Sequence, residues 1–250
     1  MSVERHLFNE ITPWTGEHIH RYMEAARYIS EGDVILDLAC GSGYGADILS
    51  RVENTRVYAG DIDSGVISAC QNNWKDNISL NFEVMDATDL RFDNAFFNAI
   101  VSLETIEHLT AYRRMVSEFS RVIKPGGTVI ISTPNIKVSS PDGNILNPFH
   151  TQEFTYQELS DLLKPEFAEV SIYGQKYIRY SGERRSPGMH STEKILLARG
   201  IRKLPYKLRN GIFRTVFGAS LYPTAVDYRM FSDREFIEEN CHVLFAVCRK

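Results

Sequence analysis

The chain has 250 residues, of which 43% are apolar and 24% charged, and its net charge of −4 is unexceptional for a globular enzyme of one large domain. Its four cysteines (Cys40, Cys70, Cys241, Cys248) form no C-x-x-C pair, which excludes a thiolate zinc site, and no apolar run approaches the roughly 18 residues of a membrane span. Residues 1–10 lack a signal-peptide core, so a cytoplasmic location is expected.

Ile19, Tyr22, Met23, Ala26 and Ile29 recur at helical spacing and predict an amphipathic helix over 17–29, preceded by the breakers Pro13 and Gly16. Val34 to Cys40 is a short apolar run of the kind that makes a buried parallel strand. A glycine turn, Gly41-Ser-Gly-Tyr-Gly45, and a helix over 46–52 follow. The alternation then repeats, with strands over 56–62, 82–86, 98–104 and 128–132 and helices over 64–74 and from Tyr112 to Ile123. Lys124-Pro-Gly-Gly127 should end the last of these helices, because proline and glycine both stop helices. Strands alternating with helices imply a parallel, doubly wound sheet.

Beyond Pro134 the pattern loosens as far as Thr151. Thr155-Tyr-Gln-Glu158 is a capping box that starts a short helix, and 167–177 and 242–250 read as two late strands. Between them lies a basic stretch. From Ile178 to Met230 there are eleven Lys/Arg against three acids, a local charge of +8. Such a segment beside an acidic body points to an anionic substrate, a nucleic acid or a membrane surface, or forms a solvated face. The expected organisation is one domain: a lid helix (1–31), a cofactor-binding core (32–135), a substrate-side half (136–177 and 231–250) and a basic insert (178–230).

A glycine-rich turn after the first strand lets backbone approach a ligand at a helix N-terminus, but nicotinamide and flavin folds use glycines there too. Asp37 narrows the choice. An acid beside the turn would repel a pyrophosphate and suits a ligand carrying an ammonium and a sulfonium, as S-adenosylmethionine does. Asp61, 20 residues after Gly41 at the end of the second strand, can accept both ribose hydroxyls, while the helix N-cap role fits Asp63 better. Asp86 ends the third strand, where a carboxylate can accept from an adenine amino group or simply face solvent.

ILDLACGSGYGADIL, AGDID, VMDA, FFNAIVSLETIEHL and the KPGG turn, spread over Ile35 to Ser132, resemble the class I S-adenosylmethionine-dependent methyltransferases in order and spacing. The resemblance implies a Rossmann-like, seven-stranded, mostly parallel sheet whose last strand is antiparallel, the two late strands forming a hairpin. It implies that Asp37, Ala39, Gly41 and Gly43 line the methionine moiety and that Asp61 and Ile62 meet ribose and adenine. Asp86 and Ala87 would meet the adenine, and the Leu103 backbone the amino group. Arg21 would pair with the cofactor carboxylate or lie at the surface. S-adenosylhomocysteine would be the product.

Glu104-Thr-Ile-Glu107-His108 leaves the fourth strand at its carboxyl end, where open α/β sheets bind ligands. Glu104, Glu107 and His108 share one face if a helical turn begins there, and could serve as a base with its orienting partner or as part of a divalent-metal site. His150, on the loop Asn147 to Phe154, completes a set similar to the metal-binding residues of small-RNA 2′-O-methyltransferases. Other readings make Glu107 and His108 structural, and His150 a base or a substrate contact. Thr15-Gly-Glu17, the His20 to Tyr22 helix and NPFHTQEFTYQEL resemble methyltransferases of bacterial glycan and lipopolysaccharide pathways, which act on hydroxyl or amino groups of sugars, often nucleotide-linked. A sugar nucleotide would engage the basic insert through its diphosphate. A lipid or quinone intermediate ranks second and RNA third, and apolar residues interleaved with the Lys/Arg also suit peripheral membrane contact. A nicotinamide oxidoreductase and a non-catalytic S-adenosylmethionine-binding subunit are the readings outside this class.

Overall fold

The computed structural model describes residues 11–145, 147–178, 204–217 and 220–250. Much of the basic stretch lies outside these, including Arg184, Arg185, Lys194 and the interleaved Ile195, Leu196 and Ile201.

The elements run α1 (Thr15–Ala26), β1 (Val34–Leu38), α2 (Tyr44–Leu49), β2 (Arg56–Asp61), α3 (Ser64–Asn73), β3 (Leu80–Val84) and β4 (Phe97–Leu103). A 3-10 turn at Ile106–His108 leads to α4 (Tyr112–Val122), β5 (Ile123–Pro134), α5 (Ile136–Ser139), α6 (Tyr156–Leu163) and β6 (Glu169–Tyr177). The basic stretch contains α7 (Tyr206–Phe217) and ends in β7 (Tyr228–Phe231), and α8 (Arg234–Asn240) and β8 (Val243–Arg249) follow. Local chemistry sets several boundaries. Asp63 caps α3 by accepting from the Gly65 and Val66 N–H groups, Thr155 and Glu158 form the reciprocal capping box of α6, and Asp233 caps α8.

One sheet orders the strands β3-β2-β1-β4-β5-β8-β6-β7. The pairs β3/β2, β2/β1, β1/β4 and β4/β5 are parallel, and β8 runs antiparallel between β5 and β6. The strand order reverses at β1/β4, so the carboxyl edge there is the switch point at which such sheets bind ligands. Among the described residues the sheet has eight strands, not seven. The eighth, Tyr-Arg-Met-Phe at the sheet's end, is four residues long, too short for an alternating pattern, and it falls where the insert was expected to run on. The two late strands do pair antiparallel, although β7 and α8 intervene in sequence.

Side chains alternate across the sheet. Ile35, Val57, Ala59, Val101 and Ile130 pack on one face with Tyr22, Ala46, Leu49 and Ile67, while Leu36, Ile100, Val129 and Ile131 face Met115, Phe119, Leu159, Leu163 and Ile237 on the other. Two covered faces explain why β1, β4 and β5 read as nearly continuous apolar runs.

The chain divides into two compact units. The first, essentially 21–176 and 229–250, holds nearly all of the sheet and every helix described above except α7 and the start of α1. The second comprises 9–20 and 177–228. Within it Tyr206 stacks on Tyr222, and Gly16 lies so close to Pro223 that a Cβ would sit 2.3 Å from the Pro223 carbonyl oxygen. The Ile178 N–H donates to the Asp227 carbonyl at 2.8 Å, so the long excursion leaves and re-enters at adjacent points.

Candidate cofactor and acceptor site

The carboxyl ends of β1, β2 and β4 gather most of the residues that the sequence singled out. Parallel pairing sets Asp37 of β1 beside Ala59 of β2 and Val101 of β4, in the middle of the sheet. Asp37 is wholly buried. Its Oδ1 accepts from the Tyr22 hydroxyl at 3.1 Å, and its Oδ2 has no hydrogen-bond partner. Burial, reinforced by the charge of Asp61 and opposed by the Tyr22 hydrogen bond, pushes its carboxyl up to about 7.

The turn beyond β1 bends through three left-handed residues, Ala39 (φ 61°), Gly41 (φ 52°) and Gly43 (φ 79°). At Gly43 a side chain is excluded twice over, by the dihedral and by the Trp74 indole, which a Cβ would meet at 2.7 Å. The Trp74 N–H donates to the Ser42 carbonyl at 3.0 Å and holds the turn from α3. Asp61 is held by backbone: the Gly41 N–H donates to Oδ2 (3.3 Å) and the Asp63 N–H to Oδ1 (3.0 Å), so it is tied to the glycine turn. Ile62 next to it is 65% exposed, an apolar surface at the strand edge. Asp86 is exposed, and its Oδ1 accepts from the Thr88 N–H and hydroxyl, which hold its carboxyl below the usual range. Ala87 is half-buried beside it.

These residues fit S-adenosylmethionine. A fully buried carboxylate oxygen without a partner is costly unless a cation or donor reaches it, and the cofactor's ammonium is such a group. The backbone of Leu103, at the end of β4, lies at the same edge of the sheet.

Beyond Leu103 the chain turns sharply. Glu104 adopts a left-handed φ of 52°, its N–H donates to the Ser132 carbonyl and its Oε1 accepts from the Ser132 hydroxyl at 2.7 Å. Glu104 is thereby drawn toward β5 and away from the group expected to include it. Glu107, His108 and His150 do come together, with one ligand atom from each lying within 4.8 Å of the others. Glu107 is fully buried. Its Oε2 accepts from the Thr133 hydroxyl at 3.1 Å, its Oε1 has no partner, and burial followed by the nearby charge of Glu104 raises its carboxyl well above the usual range. The two imidazoles meet edge to face with centroids 4.9 Å apart.

The loop after β5 brings His150 in, because the N–H groups of Thr151 and Gln152 and the Thr151 hydroxyl all donate to the Glu107 carbonyl. Sequence reasoning missed several partners. Tyr22 was visible only as an apolar position of α1. Glu153 accepts from His150 Nδ1 at 2.9 Å and from the hydroxyls of Ser139 (2.6 Å) and Ser140 (2.9 Å). The i, i+3 spacing of His150 and Glu153 was its signal. Arg21 is fully buried, correcting the surface alternative, and donates to Gln175 Oε1 at 2.7 Å.

Residues 36–131 match the family model described as a methyltransferase domain. The chain is 34% identical over 158 residues to a "Probable S-adenosylmethionine-dependent methyltransferase" of Mycolicibacterium smegmatis, the match covering 63% of this chain and 60% of that protein. It is 29% identical over 147 residues to a phthiotriol/phenolphthiotriol dimycocerosates methyltransferase of Mycobacterium leprae, covering 57% and 54%. The chain thus spans less than two thirds of the length of these relatives. The fold is similar to that of the Haemonchus contortus phosphoethanolamine N-methyltransferase 2 in complex with S-adenosyl-L-methionine, with a TM-score of 0.61 at 16% identity, over 97% of this chain and 54% of that one. Residues 36–131 are accordingly similar to a methyltransferase domain, and the relatives that share this region are named for S-adenosylmethionine-dependent methyltransferases.

Proposed function

We propose that the protein transfers a methyl group from S-adenosylmethionine to a hydroxyl or amino group of a sugar, as a nucleotide-linked donor in glycan synthesis. The observation that carries the cofactor half is the buried, partnerless Oδ2 of Asp37 beside the glycine turn. In this reading Asp37, Ala39, Gly41 and Gly43 hold the methionine portion. Asp61, fixed by two backbone N–H groups, accepts from the ribose, and Ile62, Asp86 and Ala87 flank the adenine. Leu103 supplies a backbone acceptor for the amino group.

His108 acts on the acceptor through Nε2. Its Nδ1 lies 3.0 Å from the Phe149 carbonyl oxygen, which can only accept, so Nδ1 carries the proton and the Nε2 lone pair faces outward. Glu107 and His150 stand beside it. Support for an anionic acceptor is the +8 charge of 178–230. A lipid acceptor is the second reading, favoured by the exposed Leu208 and Ile212 on the basic helix α7 and by the mycobacterial relative named for a phthiotriol lipid.

The test is S-adenosylhomocysteine release across nucleotide-linked sugars, with lipid-linked intermediates and RNA in parallel. Turnover with a sugar nucleotide is expected, and His108→Ala should lower it by about a hundredfold or more with cofactor affinity kept. Release only with a lipid-linked acceptor would select the second reading. Failure to bind S-adenosylhomocysteine at all would overturn both.

A further inference from the structure

We infer that Glu107, His108 and His150 form a binding site for one divalent transition-metal ion. Three features converge on it. First, one donor atom from each residue lies within 4.8 Å of the others. Bonds of about 2.0–2.2 Å in a tetrahedral site place donors about 3.3–3.6 Å apart, so separations of up to 4.8 Å would shorten by about 1.3 Å as the side chains close on an ion. Second, Glu107 is wholly buried and its Oε1 has no partner, although its Oε2 is anchored by Thr133. A carboxylate fixed through one oxygen with the other orphaned in the interior is arranged for a cation.

Third, both imidazoles are set in the form that ligates. The Phe149 carbonyl holds the His108 proton on Nδ1. For His150 the argument passes through Asn147, whose Oδ1 accepts from the Phe149 N–H at 3.0 Å and whose amide nitrogen therefore faces His150 Nε2 at 2.9 Å. An amide nitrogen donates, so Nε2 is the unprotonated nitrogen and Nδ1 donates to Glu153, itself fixed by two serine hydroxyls. A carbonyl behind one imidazole and a carboxylate behind the other fix the orientation and tautomer of both rings. The Asn147 amide now occupies the position that the ion would take at Nε2.

Two nitrogens and one carboxylate select zinc, cobalt, iron(II) or manganese over magnesium or calcium, which prefer all-oxygen sites. Three protein ligands leave open positions, and a sugar hydroxyl can fill one of them. This last step rests on the methyltransferase reading above and gives His108 its action on the acceptor through the ion; the binding itself does not depend on that reading.

The experiment uses untagged full-length protein, stripped with chelator and titrated with Co²⁺ and Zn²⁺ by calorimetry, with the visible ligand-field bands of Co²⁺ recorded. S-adenosylhomocysteine binding is measured on the same sample. One ion per chain is expected, with Co²⁺ bands of a low-coordinate nitrogen/oxygen site. Binding should weaken at least tenfold in His108→Ala and about tenfold in Glu153→Gln, which leaves all three ligands in place. No saturable uptake, or uptake unchanged in His108→Ala, would overturn the site. His108 is half-exposed, so that variant does not hinge on refilling a buried position as Glu107→Gln would. If the ion fails and S-adenosylhomocysteine binds, the metal inference falls alone. If the ion binds and S-adenosylhomocysteine does not, the methyltransferase reading falls and the site stands.

Discussion

On the proposed reading of the cofactor site, Asp37 couples cofactor binding to pH. With its carboxyl pushed up to about 7, the folded chain keeps a proton on Asp37 between the ordinary carboxylate value and about 7, whereas the unfolded chain has lost it. Folding stability therefore falls as pH climbs through that window and is flat above it, so far as this group is concerned. Cofactor binding takes the opposite sign, because an ammonium is attracted only to the ionised form. Affinity for S-adenosylhomocysteine should drop as pH falls below about 7, with a proton released on binding at pH about 6 and none at about 8.5. Calorimetry in buffers of different ionisation enthalpy reads that proton directly. Asp37→Asn should remove the pH dependence, weaken binding more than tenfold, since hydrogen bonds to charged groups contribute about 1.5–3 kcal/mol, and stabilise the cofactor-free protein at alkaline pH. Proton release unchanged in Asp37→Asn would assign it to another group.

At the level of elements, α1 and α2 meet across a contact that admits no side chain. A Cβ on Gly45 would lie 2.0 Å from the Tyr22 ring, and the Tyr22 hydroxyl is the donor to Asp37. Gly45→Ala should therefore cost about 1–3 kcal/mol of stability, typical of overpacking, and should also weaken cofactor binding by shifting the ring. Thermal melting and S-adenosylhomocysteine titration on one variant check both, and a variant destabilised with unchanged affinity would separate Tyr22 from the cofactor site. The element pattern itself was readable. Apolar runs bounded by Gly and Pro gave β1, β2, β4 and β5, and the capping box gave α6, because these depend on local chemistry and on burial of both sheet faces. The expected helix over 17–29 ends earlier, at Ala26, and β5 extends from Ile123 through the KPGG turn to Pro134. There a register shift between Phe97 and Ala99 lets Gly126, at φ 77°, stay within the paired segment. Tyr22 was not legible as a site residue, because it acquires its partner Asp37 only through tertiary packing. Glu153 carried a local signal in its i, i+3 spacing from His150, but its serine partners come from α5 and the residue that follows it.

For the whole molecule, the principal division is between the sheet-bearing unit and the excursion from Tyr177 to Tyr228. Asp37, Gly41, Gly43, Asp61, Glu107, His108 and His150 all belong to the first. Because Ile178 and Asp227 are hydrogen-bonded to each other, a short glycine-serine linker can join the ends where residues 179–226 are removed. The shortened protein should keep S-adenosylhomocysteine affinity within a few fold and lose methyl transfer to an anionic acceptor. Retained transfer would free the basic stretch from any role in acceptor recognition. No helix among the described residues is long and apolar enough to cross a membrane.

The hydrogen bond from Trp74 to Ser42 has an optical consequence. The chain contains two tryptophans, and the other, Trp14, is 56% exposed. With Trp14 replaced by phenylalanine, all remaining indole emission would arise from a ring that touches the glycine turn. The protein thus carries its own fluorophore at the point where a cofactor would arrive, and the pace of that arrival becomes readable in real time without a label.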